Sequence, residues 1–453
     1  MCRRHGLFKL ALMVALMGVV VPFVFIAIQN NRIGRMFNEV RAQTTVRDGT
    51  SSGEHSISKF IWVGRPNDQF TDEQFEALAK NYDLVVLAKF HAEWDHEKHD
   101  AAARKLKELN PNIKVLIYFP MSYRFRKDTY GQTTFKDEWV LYDQKTDEPI
   151  KHRNGQDNYI DLSNPEYRSW VIQIITTWMN SAPYDGVAFD NTNPIGLGSR
   201  QKTWEEQVGR DKIEAWNKGL TELLTETKEL LGDKLVLYNG FARKDWRVNR
   251  NLDLLAIADG ALNEDFCYVR PQGGYLLSKT EILEDIALQI TYGAQQKIIL
   301  QKTNYRDTLS GSKKEQVSRY CLGSFLLGYQ PGYTFYKFGP SYNTRDSEIE
   351  ENALEIDLNL GQPEGRYQQA STVFKRKFEN GWVFVNMEQT PNTITIPEPL
   401  VLMNRGQVGP RYEPGQTLRI PANDAAFLLK PEAILSPSPT GTPIQDQKRD
   451  PSN

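Results

Sequence analysis

The sequence predicts an α/β protein: a (β/α)8 TIM barrel, a small C-terminal all-β sandwich domain and an N-terminal transmembrane helix. Three observations predict it. Between Lys59 and Tyr336, short apolar runs of strand length alternate with amphipathic helical stretches, as a barrel of parallel strands requires. After about Gln368 the helical period gives way to short strands broken by turn residues. At the other end, Arg3, Arg4 and Lys9 precede an apolar run, Leu10–Ile28, close to the roughly 20 residues a bilayer span needs. A doubly wound open sheet is the competing arrangement, but no Gly-rich phosphate fingerprint follows the first strand.

The bulk numbers fit this division. A chain of 453 residues is long enough for a barrel and a smaller domain. A formal net charge of −2 gives no basic excess for nucleic acid. Cys2 lies in the leader, and Cys267 and Cys321 show no metal-ligand spacing; they read as buried free thiols in preference to a disulfide, which stays open.

The elements follow in order. Gly18 and Pro22 interrupt the apolar leader, and no convincing cleavage site precedes Gln29, so it reads as a signal anchor, with a cleaved signal peptide as the alternative. The N-terminal positives place the body outside the cell, although Arg32 and Arg35 pull the other way. Residues 1–36 are the anchor and 37–58 a polar stalk. Residues 59–368 form the barrel. Phe60–Val63 is its first strand, Thr71 caps a helix to Asn81, and Leu84–Ala88 is a strand apolar on both faces. A helix from His96 to Leu109 precedes the strand Ile113–Tyr118, and a long loop runs to Ile160. Asp161-Leu162-Ser163-Asn164-Pro165 starts a helix reaching Asn180. The strand Gly186–Asp190 is fourth. One helix-forming stretch, Thr203–Leu231, leads to the fifth, Lys234–Asn239. The Glu264 strand is sixth. A helix Thr280–Tyr292 precedes Lys297–Gln301, and a helix Lys314–Leu327 precedes Tyr333–Tyr336, the eighth strand. Residues 369–430 give six further strands, with a hairpin at Glu379-Asn380-Gly381. Residues 431–453, Ser/Pro-rich and charged, read as disordered.

Two stretches carry the chemistry. Asp185-Gly186-Val187-Ala188-Phe189-Asp190 and Asp259-Gly260-Ala261-Leu262-Asn263-Glu264 each open on Asp-Gly and close on a carboxylate at the same offset. As barrel strands they present Asp190 and Glu264 at the same end, the C-terminal face where such barrels keep their chemistry. Two carboxylates over one cleft are the minimum equipment for glycoside hydrolysis. Lys89, Tyr118, Asn191, Asn239, Gln301 and Lys302, at or beside strand ends, are candidate substrate contacts, and Trp62, Trp94, Trp139 and Tyr336 candidate stacking platforms. His91, His96 and His99 with Glu93 and Asp95 lack a zincin pattern and read as a solvated helix cap, so no metal or other cofactor is expected. No Gly-x-Ser-x-Gly elbow supports a serine hydrolase.

The leader, the two Asp-Gly strands and the β cap together resemble a family of uncharacterised "hypothetical glycosyl hydrolase" barrels. That family is related to endo-α-1,4-polygalactosaminidases and more distantly to α-galactosidases. The resemblance spans Lys59 to Lys430 and is sharpest at Tyr184–Asn193, Asp161–Pro165 and Leu262–Phe266. It implies Asp190 as nucleophile and Glu264 as general acid/base. The expectation is therefore a glycoside hydrolase acting on an extracellular or cell-wall polysaccharide or oligosaccharide, held at the cell membrane by its N-terminal helix. A catalytically inactive, membrane-anchored glycan-binding barrel is the alternative.

Overall fold

The computed structural model describes residues 57–63, 70–88, 96–124, 135–152, 155, 157–197, 200–241, 251–269, 274–305, 309–340, 358–404 and 406–435, all within one compact unit. The expected membrane segment Leu10–Ile28 and the tail beyond 435 lie outside the described residues. Among those described, no helix is long and apolar enough to cross a membrane.

Eight parallel strands appear where the sequence places them: β1 (Phe60–Val63), β2 (Leu84–Leu87), β3 (Lys114–Pro120), β4 (Gly186–Asp190), β5 (Leu235–Asn239), β6 (Gly260–Asn263), β7 (Ile298–Tyr305) and β8 (Thr334–Pro340). They form one sheet in chain order. A parallel bridge between Lys59 and Tyr336, with the Tyr336 N–H donating to the Ser58 carbonyl at 3.0 Å, joins the last strand to the first. Ile57 and Ser58 are buried and Ser58 bonds Tyr329, so the barrel starts two residues inside the expected stalk.

The repeated Asp-Gly has a structural meaning that strand alternation did not reveal. Asp185 lies at the N-terminal mouth of the barrel, accepts the Val115 N–H at 2.7 Å and pairs with Lys107 at 2.8 Å. Asp259 does the same with the Val236 N–H and Lys228, both at 2.8 Å. Asp83, before β2, accepts the Lys59 N–H at 2.8 Å. Each carboxylate thus clamps the start of the preceding strand. The glycines let strands meet closely: a Cβ at Gly186 would lie 2.0 Å from the Leu235 carbonyl oxygen, and one at Gly260 2.1 Å from that of Ile298. The clamps sit at one end of the barrel. Five residues on, the chain emerges at the other end with Asp190 and Glu264.

The helices are α1 (Asp72–Asn81), α2 (His96–Leu109), α3 (Pro165–Ser181), α4 (Gln201–Val208), α5 (Arg210–Leu231), α6 (Lys279–Ala294) and α7 (Gly311–Gly328). Thr71 closes a capping box on α1, and Asn164 caps α3 with Pro165 in its first turn. The single helix expected over Thr203–Leu231 is two, because Gly209 at φ 79° breaks it. Between β5 and β6 the described residues hold only a 3-10 turn, Leu252–Ala256.

Eight strands follow the barrel: β9 (Pro363–Ala370), β10 (Val373–Phe378), β11 (Gly381–Asn386), β12 (Asn392–Thr395), β13 (Leu400–Asn404), β14 (Gln407–Tyr412), β15 (Thr417–Ile420) and β16 (Asp424–Leu429). Six make one sheet, ordered β9-β10-β11-β16-β13-β14; β12 and β15 make a separate two-stranded ribbon. Val373, Phe384, Ile394, Ile420 and Leu428 fill the space between them, so the second layer of the expected sandwich is only a ribbon. β9 and β14, absent from the sequence reading, are the edge strands; their polar, exposed residues give no alternating signal. The sheet's other face packs on α7 through Val383, Val385, Ala425 and Phe427. A short helix, α8 (Pro431–Leu435), begins the stretch expected to be disordered.

Cys267 and Cys321 are joined in a disulfide with Cα atoms 5.5 Å apart, which corrects the expectation of free thiols. The bond ties the loop after β6 to α7.

Candidate active site

Asp190 closes β4 and is part-buried. Its neighbours in the barrel wall aim three donors at it. Tyr118, from β3, donates its hydroxyl to Oδ2 at 2.7 Å, and Asn239, at the end of β5, donates its amide to Oδ1 at 2.8 Å. The Asn191 backbone N–H also reaches Oδ1 at 2.8 Å, with Asn191 at φ 58°, a left-handed turn that Asn tolerates better than most residues. Asn239 is held in turn: Thr192 donates its hydroxyl to the Asn239 carbonyl, and Asn251 bonds the Thr192 carbonyl at 3.2 Å. Trp62 packs edge-on against Tyr118, with ring centroids 5.4 Å apart, and forms the wall behind it.

Glu264 lies one residue beyond β6, with a side chain 33% exposed. Lys302 of β7, only 3% exposed, reaches Glu264 Oε1 at 3.2 Å. Asn304 donates its amide to the Glu264 carbonyl at 2.7 Å, and the Phe266 N–H bonds the Lys302 carbonyl at 3.1 Å, so both ends of the loop start are fixed to β7. The two carboxylates feel one another. Burial, and after it the like charge of Glu264, push the Asp190 carboxyl above the usual carboxylate range, against the opposing pull of Tyr118, Asn239 and the Asn191 N–H. Glu264 sits against the ammonium of a buried lysine.

Of the residues proposed from sequence, Trp62, Tyr118, Asn191 and Asn239 gather around Asp190. Gln301 and Tyr336 do not join them. Tyr336 is fully buried, stacks on Phe325 of α7 with centroids 5.0 Å apart, and therefore faces the helix layer. Gln301 stands in register with Tyr336 and faces the same way; its buried amide finds no partner among the described residues. The error is one residue of phase. Strand side chains alternate, and Lys302, next to Gln301, points into the barrel where Gln301 was expected. Of the two strand-end candidates Gln301 and Lys302, counting alternation from Glu264 across the sheet selects Lys302, and it would also have found Asn304. Trp139, expected as a stacking platform, is buried among Phe135, Tyr167 and Trp170. Lys89, His91, Glu93, Trp94 and Asp95 lie outside the described residues; His99 is buried, its ring 3.3 Å from the Ala88 carbonyl.

Beside Asp190 the loop after β4 opens a pocket whose lining includes Asn191, Asn193, His152, Tyr159, Arg200 and Trp204. Its aromatic members are packed on one another: Tyr159 meets Trp204 at 5.1 Å and His152 at 5.4 Å between centroids. Sequence reading missed this pocket, because His152 and Tyr159 belong to the long loop after β3 and carry no motif.

The chain is similar to several solved glycoside hydrolase structures. An α-amylase from Geobacillus thermoleovorans complexed with acarbose shares 11% identity at a TM-score of 0.49, over 83% of this chain and 98% of that one. A maltogenic α-amylase from Thermotoga neapolitana shares 10% at 0.48, over 82% and 98%. A GH36 α-galactosidase from Geobacillus stearothermophilus shares 12% at 0.42, over 83% and 56%. No curated protein matches the chain. Residues 107–382, more than half of the chain and the span that carries Asp190, Glu264 and their hydrogen-bonding partners, match the hypothetical glycosyl hydrolase family 15, and the chain belongs to that family.

Proposed function

We propose that this glycoside hydrolase cleaves O-glycosidic bonds of an extracellular or cell-wall polysaccharide, with Asp190 as nucleophile and Glu264 as general acid/base, by the double displacement that a carboxyl separation of about 5–5.5 Å gives, a gap of about 6.5–9.5 Å giving inversion instead. The observation that carries the reading is a pair of carboxylates at the C-terminal ends of two strands of one barrel, one of them fixed by three donors. Tyr118, Asn239 and the Asn191 N–H hold the Asp190 oxygens in place for attack on the anomeric carbon. As the new C–O bond forms, the glycosidic C–O bond breaks and the leaving oxygen takes the proton of Glu264. In the second half, Glu264 takes a proton from water, the water oxygen attacks the same carbon, and Asp190 leaves as carboxylate. Trp62 packs the Tyr118 ring and so supports its hydroxyl. The apolar leader Leu10–Ile28 supports attachment to a membrane with the barrel outside. The Cys267–Cys321 disulfide supports an oxidising, extracytoplasmic address.

One observation favours exchanging the two roles. Lys302 beside Glu264 and the raised Asp190 would place the resting proton on Asp190 and leave Glu264 as the nucleophile. Azide separates the two assignments on an aryl glycoside with a good leaving group. With Asp190 as nucleophile, Asp190→Ala plus azide gives a glycosyl azide of inverted anomeric configuration, and Glu264→Ala plus azide gives the retained one. The opposite pairing of products assigns nucleophilic attack to Glu264.

A further inference from the structure

The pocket after β4 has a charge that the hydrolytic chemistry does not use. Arg200 is the single arginine or lysine in its lining, and no Asp or Glu lines it. Among the described residues Arg200 pairs with no carboxylate; its guanidinium lies over the Trp204 ring, 5.5 Å from the centroid. Trp204 is itself 4% exposed and wedged against Tyr159, so the plane that carries the guanidinium is fixed. A cation–π contact leaves guanidinium N–H groups available for the forked pairing that matches a carboxylate. Asn193 and Asn191 add amide groups that suit hydroxyls, and the part-exposed Tyr159 and His152 supply ring surface for a sugar. The pocket adjoins the carboxylate pair through Asn191, which lines it and donates its N–H to Asp190.

We infer that this pocket is a subsite for a uronic acid residue, with Arg200 binding the sugar carboxylate, so that the substrate is an acidic polysaccharide. The inference rests on the glycosidase reading and names the class of its substrate. An acidic residue in a pocket without carboxylates, held by an arginine of low hydration cost, is bound at little electrostatic penalty, whereas a neutral sugar would leave the guanidinium edge unmatched.

The test is a binding measurement that does not depend on turnover. Calorimetry with the full-length Glu264→Gln chain, in detergent, compares oligogalacturonate, alginate and hyaluronan oligosaccharides with their methyl esters. The expected result is that one acid form binds at least about tenfold more tightly than its ester, as loss of one charged hydrogen-bonded pair implies. The preference should weaken with salt, vanish in Arg200→Gln and return in part in Arg200→Lys. Equal binding of acid and ester, a preference that survives Arg200→Gln, or no binding of any acid form would overturn the inference. Hydrolysis lost in Asp190→Asn alongside equal binding would remove the uronate subsite and leave the catalytic reading intact.

Discussion

At the scale of single residues, Asp190 is under two opposed influences, and their balance sets a measurable sign. Three donors favour its carboxylate; burial and Glu264 favour its acid, and these win. A carboxyl whose folded-state pKa is raised binds its proton more tightly folded than unfolded. Its contribution to stability is therefore full below the unfolded pKa and is lost as pH rises through the folded one. Asp190→Asn removes that loss, so the variant should melt higher than the wild type at neutral pH. The gap should close as pH falls into the ordinary carboxylate range, about 4. Thermal melts of both chains across pH check this; a gap that is absent at neutral pH, or that widens on acidification, contradicts the burial argument. Legibility from sequence also stops at this scale. The ends of the fourth and sixth strands could be read because each closes an apolar run on a carboxylate. Gln301 and Tyr336 were misplaced because a run apolar on both faces carries no phase, and a shift of one residue exchanges lumen for helix layer. Lys302 shows the cost of that ambiguity: a lysine beside a glutamine looks like the exposed end of a strand, yet it is the buried partner of Glu264.

At the scale of elements, the loop after β6 is where structure and chemistry meet. Glu264 stands three residues before Cys267, and the disulfide fastens that loop to α7 across 54 residues of chain. Cys267 itself sits at φ 63°, so the loop turns sharply at the bond. Closing a loop of this length stabilises the fold by about 4 kcal/mol on chain-entropy grounds. The paired variant Cys267→Ser/Cys321→Ser should unfold at lower denaturant and lose hydrolytic rate more steeply than the stability change alone explains, because Glu264 loses its anchor. Unfolding curves and initial rates at a temperature where the variant remains folded check it; an unchanged rate would show that Asn304 and Lys302 hold Glu264 without the disulfide. The strands themselves were legible because each is a short apolar run between turn or cap signals. The disulfide was not, because two cysteines in apolar surroundings look alike whether bonded or free.

At the scale of the whole molecule, α7 is the joint between barrel and β-sheet. Arg376 of β10, 5% exposed, donates to the carbonyls of Leu326, Leu327 and Tyr329 at 3.0, 3.1 and 2.8 Å, and so caps the C-terminal end of α7 from the other domain. Arg319 of α7 returns the contact with a two-point bond to Asp424 at 3.0 and 2.7 Å. Arg376→Met would leave three carbonyls without their donor and cost about 3 kcal/mol. A single cooperative transition lowered by that amount is the expected melt; an unchanged midpoint would show that apolar packing alone joins the two parts. The barrel's polarity is a whole-molecule property as well. Asp83, Asp185 and Asp259 secure one mouth and leave the other free to carry Asp190 and Glu264. One Asp-Gly repeat therefore marks both ends, the clamp by its first residue and the proposed reaction centre by its last.

The central claim is that Asp190 and Glu264 together perform the hydrolysis. It is tested most directly by reducing-end release from a panel of neutral and acidic polysaccharides, using the full-length chain, Asp190→Asn and Glu264→Gln, each shown to be folded by its melt. The account predicts release by the wild type and a fall of at least about 10²-fold in each variant. Turnover at the wild-type rate in either folded variant would contradict it.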